Sequence, residues 1–247
     1  KKTKKVTDTK VSVVAGMRTV FKNGTEEQIL FMLDKLMEIN DKRFADDVEL
    51  LLEHPSNKVK LSAIQNLYFL NSKSMTAEVS ELLKIDDREL TIATLAYILS
   101  FAHKDKSFIF DAYLEHSNER IATAALYCLA RAAKNNYSLK QRYSLLDRIS
   151  LALKTIASDQ KDLSYVASVI EILGVANLPI FHNRLVAFLQ HENEEIVKTT
   201  IKAIGTATDP EMVQHIIPLL AEKAFRPTVL EAFNLYGQQI LPILKNH

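Results

Sequence analysis

One cysteine, no tryptophan, five glycines and six prolines leave little to punctuate a chain of 247 residues. A lone Cys128 rules out a disulfide framework within the chain. It sits in the apolar run IATAALYCLARAA, where a small buried core residue is expected. A catalytic thiolate would need a base and an electropositive site nearby. The scarcity of Gly and Pro argues for many helices and against a β-sandwich or a βαβ fold. Gly16, Gly24, Gly174, Gly205 and Gly237 stand alone. There is no G-x-S-x-G, no P-loop and no G-x-G-x-x-G, hence no ready phosphate cradle. Gly174 and Gly205 follow apolar helical runs and are expected to end helices. No run of about 18 apolar residues could span a membrane, and there is no signal-peptide core.

Charge is nearly balanced, at +1, and four lysines fall in the first five residues. The body is therefore close to neutral, a poor balance for a nucleic-acid binder. The segment KKTKKVTDTK, residues 1–10, is polar and basic. It is expected to be a solvated tail or linker; its functional alternative is an arm beside a membrane or on an anionic partner. The chain starts with Lys, not Met, and the expectation is a processed chain or a piece of something longer.

What the sequence does contain is repetition. LEHPSNKV, LEHSNERI and LQHENEEI occupy residues 52–59, 114–121 and 189–196. Four segments share a frame of apolar, small, apolar, apolar residues, three of them starting at the last residue of these octapeptides. Val59, Ala63, Ile64 and Leu67 follow it, as do Leu90, Thr94, Leu95 and Ile98. So do Ile121, Ala125, Leu126 and Leu129, and Ile196, Thr200, Ile201 and Ile204. Steps of four, one and three fall on one stripe of a helix, and the small residue lets a neighbouring helix come close. Seven residues before each origin another apolar residue, Leu52, Leu83, Leu114 or Leu189, closes a preceding amphipathic stretch. Each unit is thus helix, short turn, helix.

The turn residues are legible in the same terms. His54, His116 and His191 follow the first helix and are expected to bond its orphan carbonyls or, if protonated, to suit its negative end. Ser56-Asn57, Ser117-Asn118 and Asn193 are expected to cap the second helix, with Asp86-Asp87 doing so in the unit without a histidine. Phe21, Leu52, Leu83 and Leu114 are 31 residues apart, then Ile156 follows after 42, Leu189 after 33 and Leu220 after 31. Such a period means stacked supersecondary units, about seven here. The first carries Thr25 and Gln28 as a capping box. The last places Thr228, Ala232, Phe233 and Tyr236 in the frame. The fifth, Leu163 to Leu173, fits poorly, and KNNYSLKQRYS before it reads as a longer connection or an extended helix.

Paired helices of this length, a small residue recurring in the second helix and an Asp/Asn-rich turn resemble the HEAT-repeat family over about residues 11–247. That family's frequent Asp-x-x-Val-Arg turn appears as Asn57-Lys58-Val59-Lys60 and Glu194-Glu195-Ile196-Val197-Lys198, with Lys for Arg. The resemblance implies an all-α superhelix, a HEAT/armadillo-like solenoid of about seven helix pairs, used as a protein-binding scaffold. More narrowly, MRTVFKNGTEEQILFMLDKLMEIND resembles the start of the HEAT segments that follow the membrane part of bacterial nucleotide (ATP/ADP) transporters of the major-facilitator type. HEAT-like DNA glycosylases and bilin lyases are further members of this class. The glycosylases rely on basic grooves and on aromatic groups including Trp, which this chain lacks.

A metal site built from the three turn histidines is excluded by spacing. Stacked helices lie roughly 8–10 Å apart, so alternate turns are about 20 Å apart, whereas one ion takes ligands at about 2 Å. The candidate partner-binding positions are second-helix residues off the apolar stripe: Gln65, Tyr127, Arg131, Lys198 and Lys202. Tyr127 and Arg131 lie one helical turn apart and are types enriched at interfaces. The expectation is a single repeat domain over 11–247, a non-enzymatic protein-binding or regulatory scaffold in the cytoplasm, without cofactor, metal or nucleic acid. The array itself makes no membrane contact. The alternatives are the soluble cytoplasmic domain of a nucleotide transporter, tethered to an upstream membrane segment, and a DNA glycosylase.

Overall fold

The computed structural model describes residues 2–72, 77–101, 106–158 and 162–245. Among them there are helices and turns and no strand, an all-α fold. The chain forms two compact units, Lys1–His116 and Ser117–His247.

The first unit contains α1 (Lys2–Asn23), α2 (Glu26–Ile39), α3 (Ala45–Glu49), α4 (Asn57–Phe69), α5 (Ala77–Glu81), α6 (Arg88–Phe101) and α7 (Lys106–Leu114). From Lys2 onward the backbone of the basic segment lies within α1. Helices α2, α4 and α6 pack side by side. Their shared core includes Leu33, Leu36, Val59, Ala63, Ile64, Leu67 and Leu90. Helix α1 joins it through Met17 and Phe21, whose ring meets Phe44 edge-on at 6.1 Å. The expected capping box is present: Thr25 Oγ1 accepts from Gln28 N–H at 3.4 Å, and Gln28 Oε1 accepts from Thr25 N–H at 3.0 Å.

The second unit contains α8 (Glu119–Ala133), α9 (Tyr137–Arg142), α10 (Leu145–Ser158), α11 (Leu163–Ala176), α12 (His182–Ala187), α13 (Glu194–Ala207), α14 (Pro210–Val213), α15 (Arg226–Tyr236) and α16 (Ile240–Lys245). Here α8, α11, α13 and α15 pack in succession, each against the next. The periodic frame faces inward throughout this row: Ile121, Ala125, Leu126 and Leu129 are buried, as are Ile196, Thr200, Ile201 and Ile204, and Thr228, Ala232, Phe233 and Tyr236. Cys128 is buried among them.

Several expectations change. The fifth unit fits after all: α11 is a full helix wedged between α8 and α13, with Val169, Ile170 and Leu173 buried in the frame's register. Val169 fills the position taken elsewhere by Ala or Thr, which hid the pattern. The residues ahead of it form the separate short helix α9, capped by Asn136, whose side chain accepts from Leu139 N–H at 3.0 Å. Gly174 and Gly205 do not end helices. They lie inside α11 and α13, which continue to an Asn177 and a Thr208 in the left-handed region. A Cβ on Gly174 would fall 2.6 Å from the carbonyl oxygen of Ala203, and one on Gly205 2.8 Å from Ala232 Cβ. These glycines mark where successive helices touch.

Two of the three turn histidines, His54 and His191, act as acceptors rather than as donors to orphan carbonyls. His54 Nδ1 accepts from Ser56 N–H at 3.1 Å, and His191 Nδ1 accepts from Asn193 N–H at 3.0 Å. The carbonyls they were expected to satisfy are taken by tight 3-10 turns, through His54 N–H to Leu51 O at 3.1 Å and His191 N–H to Phe188 O at 3.2 Å. Ser56 stands at the start of α4 but makes no side-chain cap. Asp87, Asn118 and Asn193 cap as expected, accepting from Leu90, Arg120 and Glu195 N–H at 3.0, 3.0 and 2.9 Å.

Candidate functional site

The candidate surface residues fall on three helices. Gln65 is exposed on α4 of the first unit. In the second unit Tyr127 is half-buried and Arg131 exposed on α8, while Lys198 is half-buried and Lys202 exposed on α13. Helix α11 packs on both α8 and α13, so the structure separates the Tyr127–Arg131 pair from the Lys198–Lys202 pair by one helix. Lys198 is already engaged: its Nζ donates to Glu195 Oε1 at 2.7 Å. That bond holds the ammonium above its ordinary pKa and the carboxylate below its own. Lys202 lies one turn further along the same helix.

A deeper feature lies on the other row. Helix α10 and the segment Pro179–Gln190, which is α12 with a 3-10 turn at each end, enclose a cavity of about 520 Å³. One wall is the stripe Ser150, Leu153 and Ala157 of α10; the other is Ile180, Arg184 and Phe188. Both stripes have helical spacing. Leu146, one turn before Ser150, is 44% exposed and prolongs the first wall. Ile180 on the second wall is 67% exposed. Lys154 and Arg184 border the cavity, one from each wall. Among the described residues neither takes part in an ion pair. One wall, α10, lies at the end of the long 42-residue step of the period, an irregularity that sequence reasoning had located. The groove itself went unforeseen, because its two walls are about 30 residues apart in the chain and each reads as an ordinary amphipathic helix.

A third grouping joins residues distant in sequence. Ligand atoms of His182, Asp209 and Glu211 lie within 4.8 Å of one another. The bonds around them serve the turns. Asn177, which ends α11, donates from Nδ2 to Ala207 O at 3.1 Å, leaving its Oδ1 to accept from His182 Nε2 at 3.0 Å. Asp209 caps α14, its Oδ1 accepting from Glu211 N–H at 2.9 Å. Tyr236 completes the brace, its hydroxyl shared between Asp209 O at 2.9 Å and Ile204 O at 3.1 Å. Burial, and next the charge of Asp209, push the Tyr236 phenol above its ordinary pKa. A matching bond in the first unit runs from the Tyr97 hydroxyl to Ser72 O at 2.7 Å.

Among the described residues no helix is long and apolar enough to cross a membrane. No family model matches the chain, and no curated protein matches it.

Proposed function

We propose that this chain is a non-enzymatic protein-binding scaffold, built as a HEAT-like solenoid. The observation that carries the reading is the row of α8, α11, α13 and α15, packed in succession with a continuous apolar seam inside. Packing of that kind leaves the outward stripe of each helix free to vary without cost to the core. Arg131 of α8 and Lys202 of α13 are exposed there, with Tyr127 half-buried one turn before Arg131, types that supply contact area and carboxylate recognition. Photo-crosslinking amino acids placed at Arg131 and at Lys202, irradiated in the source cell, are expected to trap the same protein at both positions. Arg131→Glu is expected to reduce the yield at Lys202. No crosslinked partner at either position would remove the reading.

The resemblance of residues 17–41 to the segments that follow nucleotide transporters supports a second reading, the cytoplasmic domain of such a transporter. The mass of the native protein in the source cell separates the two. A band far above 28.0 kDa in the membrane fraction favours the transporter, and a band near that mass in the soluble fraction removes it.

A further inference from the structure

The groove between α10 and α12 combines two properties that together select an occupant. Its walls are apolar, and each carries a cation that has no acidic partner among the described residues. Exposed ion pairs and solvated lysines are ordinary features of a helical surface, but here Lys154 and Arg184 border an opening lined by Leu153, Ile156, Ile180 and Phe188. The lining is mostly apolar while charge is offered at both edges. An apolar body with acidic groups on both flanks matches this arrangement, and a basic or uncharged body does not.

Shape narrows the choice further. The α10 wall runs from Leu146 to Ala157 and the facing wall from Ile180 to Phe188. At about 1.5 Å per residue these are roughly 12–16 Å long, two to three helical turns. A cavity of about 520 Å³ would also admit an acyl chain, since small-ligand pockets span roughly 300–1,000 Å³. An acyl chain brings a single carboxylate, however, whereas the cations come from opposite walls. A helix laid along the groove presents apolar side chains at i, i+4 and i+7 downward and carboxylates on each side. Arg184 suits a bidentate carboxylate, and Lys154 a point charge.

We propose that the groove between α10 and α12 docks an acidic amphipathic helix of a partner protein, its apolar face on Leu153, Ile180 and Phe188 and its carboxylates on Lys154 and Arg184. This rests on the scaffold reading and names the chemistry of its partner.

The test uses the full chain and a fluorescent helix-stabilised peptide of about three turns, with Leu at i, i+4 and i+7 and Glu on both flanks. A second peptide carries Lys in place of every Glu. Anisotropy is expected to show saturable binding of the acidic peptide, about tenfold tighter than the basic one and weakening with added salt. The double variant Lys154→Glu, Arg184→Glu, both positions being exposed, is expected to keep the wild-type melting curve, lose about tenfold in affinity for the acidic peptide and prefer the basic one. Leu153→Asn tests the apolar lining independently and is expected to weaken the acidic peptide at unchanged charge in the groove. Equal binding of both peptides, indifference to the charge reversal, or binding of dodecanoate that the acidic peptide does not displace would each overturn the proposal. If the peptide fails while crosslinks at Arg131 and Lys202 persist, the groove proposal falls and the scaffold reading stands. If those crosslinks are also absent, both fall.

Discussion

At Gly174 two helix backbones meet, and a single methyl group there sets intrinsic propensity against packing. In a helix interior Ala is favoured over Gly by about 1 kcal/mol. At Gly174 the added Cβ would lie 2.6 Å from Ala203 O, 2.8 Å from its Cα and 2.9 Å from its Cβ. These are not the yielding ends of flexible side chains, so α11 and α13 would have to separate. Gly174→Ala is expected to destabilise by about 1–3 kcal/mol, the usual cost of overpacking. Gly16 in α1 has nothing within 4 Å of its virtual Cβ, and Gly16→Ala is expected to stabilise by about 0.5–1 kcal/mol. Urea titration of both variants checks the contrast; equal effects would mean that the helix contact at Gly174 is wrong.

The small position of the repeat frame offers a second contrast between single residues. Thr200 and Thr94 occupy the same place in their helices, and both are buried. Thr200 Oγ1 donates to Ile196 O at 2.8 Å, whereas Thr94 Oγ1 has no hydrogen-bond partner among the described residues. A buried hydroxyl left unpaired carries its desolvation penalty without return. Thr94→Val, which keeps the shape, is expected to raise stability by about 1 kcal/mol. The same change at Thr200 is expected to lower it by about 1 kcal/mol. Denaturant midpoints of the two variants moving in the same direction would refute the assignment.

Among elements, the tyrosine braces join one helix pair to the loop of the pair before it. Removing the Tyr236 hydroxyl leaves neither acceptor stranded: Ile204 O still accepts from Thr208 N–H, and Asp209 O from Met212 and Val213 N–H. Tyr236→Phe should therefore cost only about 1 kcal/mol, the net worth of an ordinary hydrogen bond. Its larger signature is in pH. Burial holds the phenol above its ordinary value, so the folded chain keeps a proton that the unfolded chain releases at about pH 10. The stability this supplies is complete below pH 10 and fades as pH rises beyond it. Wild-type protein is expected to lose stability more steeply than Tyr236→Phe above pH 10. Parallel curves through pH 8–12 would show that Tyr236 ionises as freely in the folded chain as in the unfolded one.

For the molecule as a whole, the consequential fact is that helix contacts run between neighbours in the chain. Each unit closes its own row, α2, α4 and α6 in one and α8, α11, α13 and α15 in the other. Stability of such arrays is approximately a sum of repeat and neighbour terms, so a piece that keeps whole neighbours keeps its fold. Residues 117–247 expressed alone are expected to give a helical circular dichroism spectrum and a cooperative melt. A non-cooperative, molten response from that fragment would show that the second unit does not carry its own core.

The helical class, the inward stripe and most of the capping followed from the sequence by itself. These depend on local rules, a 3.6-residue period and side chains that bond backbone a few residues away, and a repeat states the rule several times over. Thr25 with Gln28, and Asp87, Asn118 and Asn193, all did what local chemistry dictates. Tertiary structure decided what depends on residues distant in the chain. Gly174 looks like a terminator until Ala203 is seen against it, and His191 looks like a carbonyl partner until a 3-10 turn has already taken the carbonyl. The candidate surface residues could be placed on outward faces from periodicity, but the intervention of α11 between Tyr127 and Lys202 could not. Nor could the groove, which exists only because α10 and α12 stand apart with Lys154 and Arg184 on facing edges. Spacing along a chain determines which side of a helix a residue occupies; only packing determines what stands opposite.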